Sequence, residues 1–227
     1  MTKLIFLTGA GMSAESGIST FRDSGGLWEN NRIEDIATPN AWASNPERVQ
    51  EFYNSRRKQI MAAQPNEAHL ALKKLEKNFS VEVITQNIDD LHERAGSTNV
   101  LHLHGNIRFS KSSGPNQECA YYPIDGWELK TSDKCPDGYS LRPHVVWFGE
   151  AVPMYQIAAE RIKNADILIV IGSSLQVYPA AGLIHNARKE CRKFLIDPNG
   201  DELGVSKEFE VINASASQGL KTFLNHL

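Results

Sequence analysis

The side chains best suited to chemistry lie in a few short stretches. Leu101-His102-Leu103-His104-Gly105-Asn106 carries two histidines two residues apart, a spacing that on a strand turns both to one side. Histidine titrates near neutrality and is a ready general base. No further His or Cys follows in a ligand pattern, so zinc on this pair is not expected. Thr85-Gln86-Asn87-Ile88-Asp89-Asp90-Leu91-His92 offers amide and carboxylate groups to a polar ligand. Asp89 or Asp90 also suits the cap of a following helix. Gly9-Ala10-Gly11-Met12-Ser13-Ala14 fits G-x-G-x-x-G/A, in which glycines let backbone N–H groups approach a pyrophosphate.

These stretches need elements to position them. Leu4–Thr8, Val81–Thr85, Ile167–Ile171 and Phe194–Asp197 read as short, continuously apolar strands, the mark of a parallel sheet covered on both faces. Helical stretches are expected at Asn66–Lys77, Tyr155–Asn164 and Ala180–Arg192. The alternation predicts an α/β fold with a doubly wound parallel sheet, Rossmann-like, carrying a small inserted module. Ligands bind beyond the carboxyl ends of such strands. Gly9–Ser13, Gln86–Asp89, Gly172–Ser174 and Asp197–Asn199 are therefore expected to line one crevice.

Two regions interrupt the alternation. Ile33–Gln64 reads as helical and carries Trp42, Phe52, Tyr53 and the cluster Arg56-Arg57-Lys58. Ile107–Leu141 is rich in Gly, Pro, Ser and Asp, with little periodicity. The reading assigns 1–32, 65–106 and 143–227 to the sheet domain, and 33–64 and 107–142 to the smaller module.

With 227 residues, the chain can bury a sizeable core. Its 41% hydrophobic and 22% charged residues are ordinary for a soluble protein. A net charge of −3 argues against a nucleic-acid surface. No apolar run suits a membrane span, and no targeting segment is read at the N-terminus. The three cysteines, Cys119, Cys135 and Cys191, make no disulfide framework and fit a reducing cytoplasm.

The glycine motif lacks its usual continuation. A hydride-transferring dehydrogenase needs a helix, a second strand and an acid for the ribose. Here Ser16-Gly17 breaks the helix early, and no β-branched run follows before Asn40. Asp23-Ser24-Gly25-Gly26-Leu27-Trp28 reads as a loop able to close over a ligand, with Phe21 and Arg22 at its near end.

Together these residues resemble the sirtuins, NAD-dependent protein-lysine deacylases. The motifs that carry the resemblance are Gly9–Ser13, Gly17–Arg22, Thr85–Asp89, His102–Gly105, Arg142–Glu150 and Gly172–Ala180. They occur in the family order over nearly the whole chain, which is most similar to bacterial members of the class that also removes acidic acyl groups. The resemblance implies cleavage of the bond between nicotinamide and ribose instead of hydride transfer. In the family mechanism the acyl-lysine oxygen attacks the ribose. A histidine then activates a ribose hydroxyl, and the products are nicotinamide, free lysine and O-acyl-ADP-ribose.

Carried over by motif, the resemblance implies His104 as general base. Asn87 would order the ribose and a water. Asp89, with the Ile88 backbone, would hold the nicotinamide carboxamide. Phe21 would shield the ribose, and Arg22 and Gln86 would position the cofactor. Gly9, Ala10, Gly11, Ser13, Thr20, Gly172, Ser173 and Ser174 complete the implied cofactor site. Phe148-Gly149-Glu150 would pair with the substrate backbone as an added strand, and Val146 would line the acyl-lysine tunnel. The partner implied is an acylated lysine in a protein.

Tyr53 and Arg56 share a helical face and match the pair in sirtuins that prefer succinyl- and malonyl-lysine. A hydroxyl and a guanidinium would grip a terminal carboxylate. Two departures stand out. Most sirtuins hold zinc with two Cys-x-x-Cys pairs, whereas only Cys119 and Cys135 occur between Arg108 and Arg142. No metal is expected, and Tyr121, Tyr122, Trp127 and Tyr139 are expected to form an apolar cluster in its place. Asp197 stands where the family usually has Asn, which favours NAD over NADP, with Asn199 as an alternative ribose ligand. An ADP-ribosyltransferase, a NAD glycohydrolase or a non-catalytic NAD-binding module would use the same crevice.

Overall fold

A computed structural model describes residues 1–20 and 32–227. Nine strands are seen among them: β1 (Lys3–Thr8), β2 (Ser80–Thr85), β3 (Val100–His102), β4 (Gly105–Ser112), β5 (Tyr121–Pro123), β6 (Leu141–Val145), β7 (Ile167–Ile171), β8 (Arg192–Ile196) and β9 (Phe209–Ile212). Six form a parallel sheet in the order β3-β2-β1-β7-β8-β9. The central strands are the continuously apolar runs. Leu4–Thr8 lies level with Val81–Thr85 on one side and Ile167–Ile171 on the other.

Alternate residues of these strands feed two cores, as the two-residue period of a strand requires. Leu4 and Phe6 pack with Leu72 and Leu75 of the helix Glu67–Leu75 and with Leu220 and Phe223 of the helix Ala216–Leu224. Ile5 and Leu7 pack on the other face with Ala158 and Ile162 of the helix Tyr155–Lys163 and with Leu183. The sheet is thus doubly wound, and truncating one such core leucine to alanine costs about 2–5 kcal/mol.

The region expected to be helical from 33 to 64 is three helices, Ile33–Ile36, Pro39–Ser44 and Pro46–Ala62. The last two begin at Thr-Pro and Asn-Pro pairs. The Thr38 hydroxyl accepts from Ala41 N at 3.0 Å, and Asn45 Oδ1 accepts from Arg48 N at 3.0 Å. Proline at the first helical position behind such a cap starts a helix and stops its predecessor.

Three expectations need correction. Ala180–Arg192 is not a long helix. A 3-10 segment, Ala180–Asn186, ends where the Asn186 amide turns back to Leu183 O at 3.1 Å, and Arg192 already belongs to β8. The strand expected at Phe194–Asp197 runs Arg192–Ile196. Asp197 Oδ1 accepts from Asn199 N at 2.9 Å and so turns the chain. The aperiodic stretch from Ile107 contains most of an antiparallel sheet, β5-β4-β6.

The aromatic cluster expected in that insert is the third correction. Tyr121, Trp127 and Tyr139 are partly exposed, and the apolar centre is Ile124, Leu129, Cys135 and Leu141, with Tyr122 against it. The insert is also pinned by polar groups. Buried Arg57 donates to Ile107 O at 2.7 Å and Trp127 O at 2.8 Å, and Asn54 exchanges two hydrogen bonds with the Leu129 backbone.

Candidate functional site

The sheet order reverses at β1, which lies between β2 and β7. The loops at the carboxyl ends of β1, β2, β7 and β8 open there onto one cavity of about 410 Å³. Its wall includes Gly9, Ala10, Gly11, Thr20, Gln86, Asn87, Ile88, His104, Gly172, Ser173, Ser174, Asp197 and Asn199. Tyr53, Arg56, Val146, Phe148, Gly149 and Glu150 line the same cavity. The four loops expected to converge do converge, at a switch point of the sheet. Phe21, Arg22 and the loop Asp23–Trp28 lie outside the described residues.

The first glycines have a packing reason. Gly11 N donates to Gly172 O at 2.9 Å, and a Cβ on Gly11 would stand 2.6 Å from Gly172 Cα. A Cβ on Gly9 would stand 2.6 Å from Gly172 O. The loops after β1 and β7 therefore touch backbone to backbone, an approach open only to glycine. The helix that follows is a single turn, Gly11–Ala14, and the chain leaves it at Gly17 with φ +78°. The break anticipated at Ser16-Gly17 is real.

His104 sits on the cavity wall with Nδ1 3.1 Å from Gln86 O. A carbonyl only accepts, so Nδ1 carries the proton and Nε2 keeps its lone pair. Burial lowers the pKa of His104, against a smaller opposing pull from the Gln86 carbonyl. The ring is thus neutral at neutral pH, with one basic nitrogen. The Gln86 amide donates to Ser173 Oγ at 2.9 Å and ties the β2 loop to the β7 loop.

Asn87 and Asp89 are linked through Ser13. Asn87 Nδ2 donates to Gly9 O at 3.0 Å and Ser13 Oγ at 3.1 Å, and Ser13 Oγ donates to Asp89 Oδ2 at 2.9 Å. Asp89 Oδ1 accepts from Leu91 N at 3.2 Å. Neither Ser13 nor Asp89 is on the cavity wall. Asp89 is buried behind it, where desolvation raises its pKa against these two hydrogen bonds. Through Leu91 N it meets the backbone at the start of the helix Leu91–Arg94, whose N-cap position is Asp90 without a side-chain cap bond.

Tyr53 and Arg56 lie on the helix Pro46–Ala62, whose buried residues Val49, Tyr53, Arg56 and Ile60 recur at helical spacing. The Tyr53 hydroxyl accepts from Trp147 Nε1 at 3.0 Å, and burial raises its pKa. Arg56 is 6% exposed. It donates to Ser19 O at 2.8 Å and Gln59 Oε1 at 2.7 Å, and burial lowers its pKa to about 10 against a favourable contribution from Asp89. Phe148–Glu150 is not an open strand edge. It is a turn in which Phe148 N donates to Ala37 O at 3.0 Å and Glu150 N to Trp147 O at 3.0 Å. The Glu150 carboxylate is held by Arg142 and by Trp147 N.

Some wall residues escaped the sequence reading. Glu15 faces the cavity and receives Ser215 Oγ, Ser217 N and Ser217 Oγ across some 200 residues of chain. No local signal announces so distant a contact. Trp147, inside a motif already singled out, joins Tyr53 and the half-buried Trp42 in an aromatic group. Its neighbourhood in the motif was the available clue.

A crevice of this kind, at the switch point of a doubly wound sheet, defines a Rossmann-type nucleotide-binding protein. The pattern of the Sir2 family matches residues 9–179. The chain belongs to the Sir2 family. A protein of Bacteroides thetaiotaomicron named NAD-dependent protein deacylase is 48% identical over 224 residues, covering 97% of this chain and 96% of the relative. One of Helicobacter pylori with the same name is 46% identical over 230 residues, covering 100% and 98%. A solved Sir2 homologue in complex with NAD superposes with TM-score 0.86 at 38% identity, over 99% of this chain and 88% of that one. A Sir2 complex with a p53 peptide and NAD+ gives 0.79 at 30% identity, over 98% and 92%.

Proposed function

We propose that this chain removes acyl groups from protein lysines at the expense of NAD, giving nicotinamide, free lysine and O-acyl-ADP-ribose. The observation that carries this reading is His104. It is neutral by burial and fixed by Gln86 O with a basic Nε2, on the wall of a crevice built by all four strand-end loops. The relatives' names and the NAD and peptide complexes of the solved homologues support it.

The wall residues fit the cofactor. Polar groups on the wall come from several strand ends: Gln86 and Asn87 after β2, His104 after β3, Asp197 and Asn199 after β8 and Ser215 after β9, with Glu15 after the glycine turn of β1. Gly9, Gly11 and Gly172 line the same wall. Gly9, Gly11, Gly172 and Ser173 would hold the phosphates, with Thr20 and Ser174 beside them, and Asp197 or Asn199 the adenosine ribose. Bound NAD supplies a ribose carbon from which nicotinamide leaves. His104 Nε2 takes the proton from a hydroxyl presented at its face of the wall. Asn87, tied to Gly9 and Ser13, orients the polar groups opposite. Asp89, with both oxygens engaged, acts from behind as a brace of Ser13 and the following helix. Phe21 and Arg22 remain assigned to cover and position the cofactor.

The acylated lysine enters between Val146 and Phe148–Glu150 and carries its acyl end toward Tyr53 and Arg56. A buried guanidinium and a tyrosine on one cavity wall suit a terminal carboxylate, so succinyl and malonyl groups are favoured over acetyl. The insert does not fit a zinc site. Cys135 is buried against Ser112 Oγ, Cys119 is exposed, and among the described residues no three His, Cys, Asp or Glu groups are arranged to hold a metal. No described helix is long and apolar enough to cross a membrane, and the free cysteines fit the cytoplasm. Turnover of succinyl-, malonyl- and acetyl-lysine peptides with NAD tests the reading. Nicotinamide released without peptide would instead mark a glycohydrolase.

A further inference from the structure

Two histidines reach the same loop, and only one is accounted for. His104 Nδ1 holds Gln86 O, and His102 Nδ1 lies 3.1 Å from the next carbonyl, Asn87 O. The other nitrogen of His102, Nε2, lies 2.6 Å from Glu93 Oε1, with Asn106 Nδ2 more distant at 3.3 Å. A carbonyl and a carboxylate both accept, so His102 carries two protons and is an imidazolium. Glu93 belongs to the helix Leu91–Arg94, directly after the loop that holds Gln86, Asn87 and Asp89. His102 is not on the cavity wall and touches no described substrate or cofactor surface.

We propose that His102, braced by Glu93, is a positioning residue for the deacylation: it fixes the Asn87 carbonyl and thereby the adjoining Gln86 carbonyl that sets the tautomer of His104. This inference rests on the role of His104 given above. The two carbonyls are consecutive, so rotation of the peptide after Asn87 shifts the one before it. A loosened Gln86 carbonyl no longer dictates which nitrogen of His104 carries the proton. The basic nitrogen is then sometimes Nδ1 and sometimes Nε2, and Nε2 is not always free to take a proton. The charge of His102 also acts on buried Asp89, which it helps keep ionised. Besides Glu93 and Asp89, the titratable groups that act on His102, or on which it acts, are His92 and His144, and burial holds both of these neutral.

Two substitutions separate the halves of this bridge. An asparagine amide nitrogen sits near the place of a histidine Nδ1, and a glutamine amide nitrogen near that of Nε2. His102→Asn should therefore keep the bond to Asn87 O, and His102→Gln should lose it. For His102→Gln we expect kcat lower by about tenfold or more, with KM for NAD and acyl-peptide near wild type. His102→Asn should retain most of kcat at a similar Tm. In the wild type, imidazole nitrogen NMR should show His104 protonated at Nδ1 alone, and in His102→Gln a mixture of tautomers. If His102→Gln fails to fold, His102→Ala, which also lacks the bond to Asn87 O, should give the same fall in kcat. Equal loss in both His102 variants, kcat within about twofold of wild type, or an unmixed His104 tautomer would overturn the proposal. A wild type that leaves acyl-lysine untouched would sink the assigned function instead, and the tautomer measurement would still judge the bridge.

Discussion

Replacing Arg56 with methionine removes one buried charge while keeping most of the side-chain volume. Burial lowers the Arg56 pKa from its ordinary value to about 10. At about 1.4 kcal/mol per unit, the charge is thus about 3 kcal/mol less favourable here than in water. A carboxylate at the end of an acyl chain restores that interaction, so the protein gains it only with succinyl or malonyl substrates. Arg56→Met should lower kcat/KM for succinyl-lysine by about a hundredfold. Acetyl-lysine offers no carboxylate. Its loss includes the bonds to Ser19 O and Gln59, at about 1 kcal/mol each, and should stay within about tenfold. The Tm should hardly move, because a buried charge is being exchanged for an apolar chain. The assay is steady-state turnover of matched peptides differing only in the acyl group. Equal losses on both would refute the carboxylate role of Arg56.

Other expectations concern pH, packing and metal. His69 is fully buried, and burial lowers its pKa from 6.5 to about 4. The native state disfavours its protonation, so this stability is whole above pH 6.5 and is lost as pH falls toward 4, by up to about 3 kcal/mol; denaturant midpoints at several pH values would show it, and a flat profile would not. His104 must be neutral to act, so the acid limb of kcat/KM should have its midpoint below pH 6.5, and a midpoint above it would contradict the tautomer argument. Gly11→Ala forces a methyl group against Gly172 and should cost about 1–3 kcal/mol together with NAD binding, read by thermal melting and titration. A chelator should leave the Tm unchanged, and elemental analysis should find no stoichiometric zinc.

The parallel sheet was legible because strands buried on both faces must be apolar throughout, as in Ile167–Ile171. The four loops that line the crevice followed from the strand ends alone. The 3-10 segment at 180–186 was not legible, since short-range hydrogen bonding after Leu183 decides it and helical periodicity does not. By residue type Asp89 suits a ligand and a buried brace equally well, and the bonds from Ser13 Oγ and Leu91 N give its place in this structure. The insert did mislead. Three of the four aromatics expected at its centre are exposed, Trp127 beneath Lys58 and Tyr121 stacked on His144, while Tyr122 packs against a centre of smaller residues.

Product analysis on an acyl-lysine peptide tests the central claim most directly. With NAD and a succinyl- or acetyl-peptide, mass spectrometry should find nicotinamide, free lysine peptide and O-acyl-ADP-ribose in equal amounts; after His104→Ala the last two should be absent, and nicotinamide, which leaves before the histidine acts, should not exceed one equivalent per enzyme. Nicotinamide formed at the same rate without peptide, or turnover that survives His104→Ala, would contradict it.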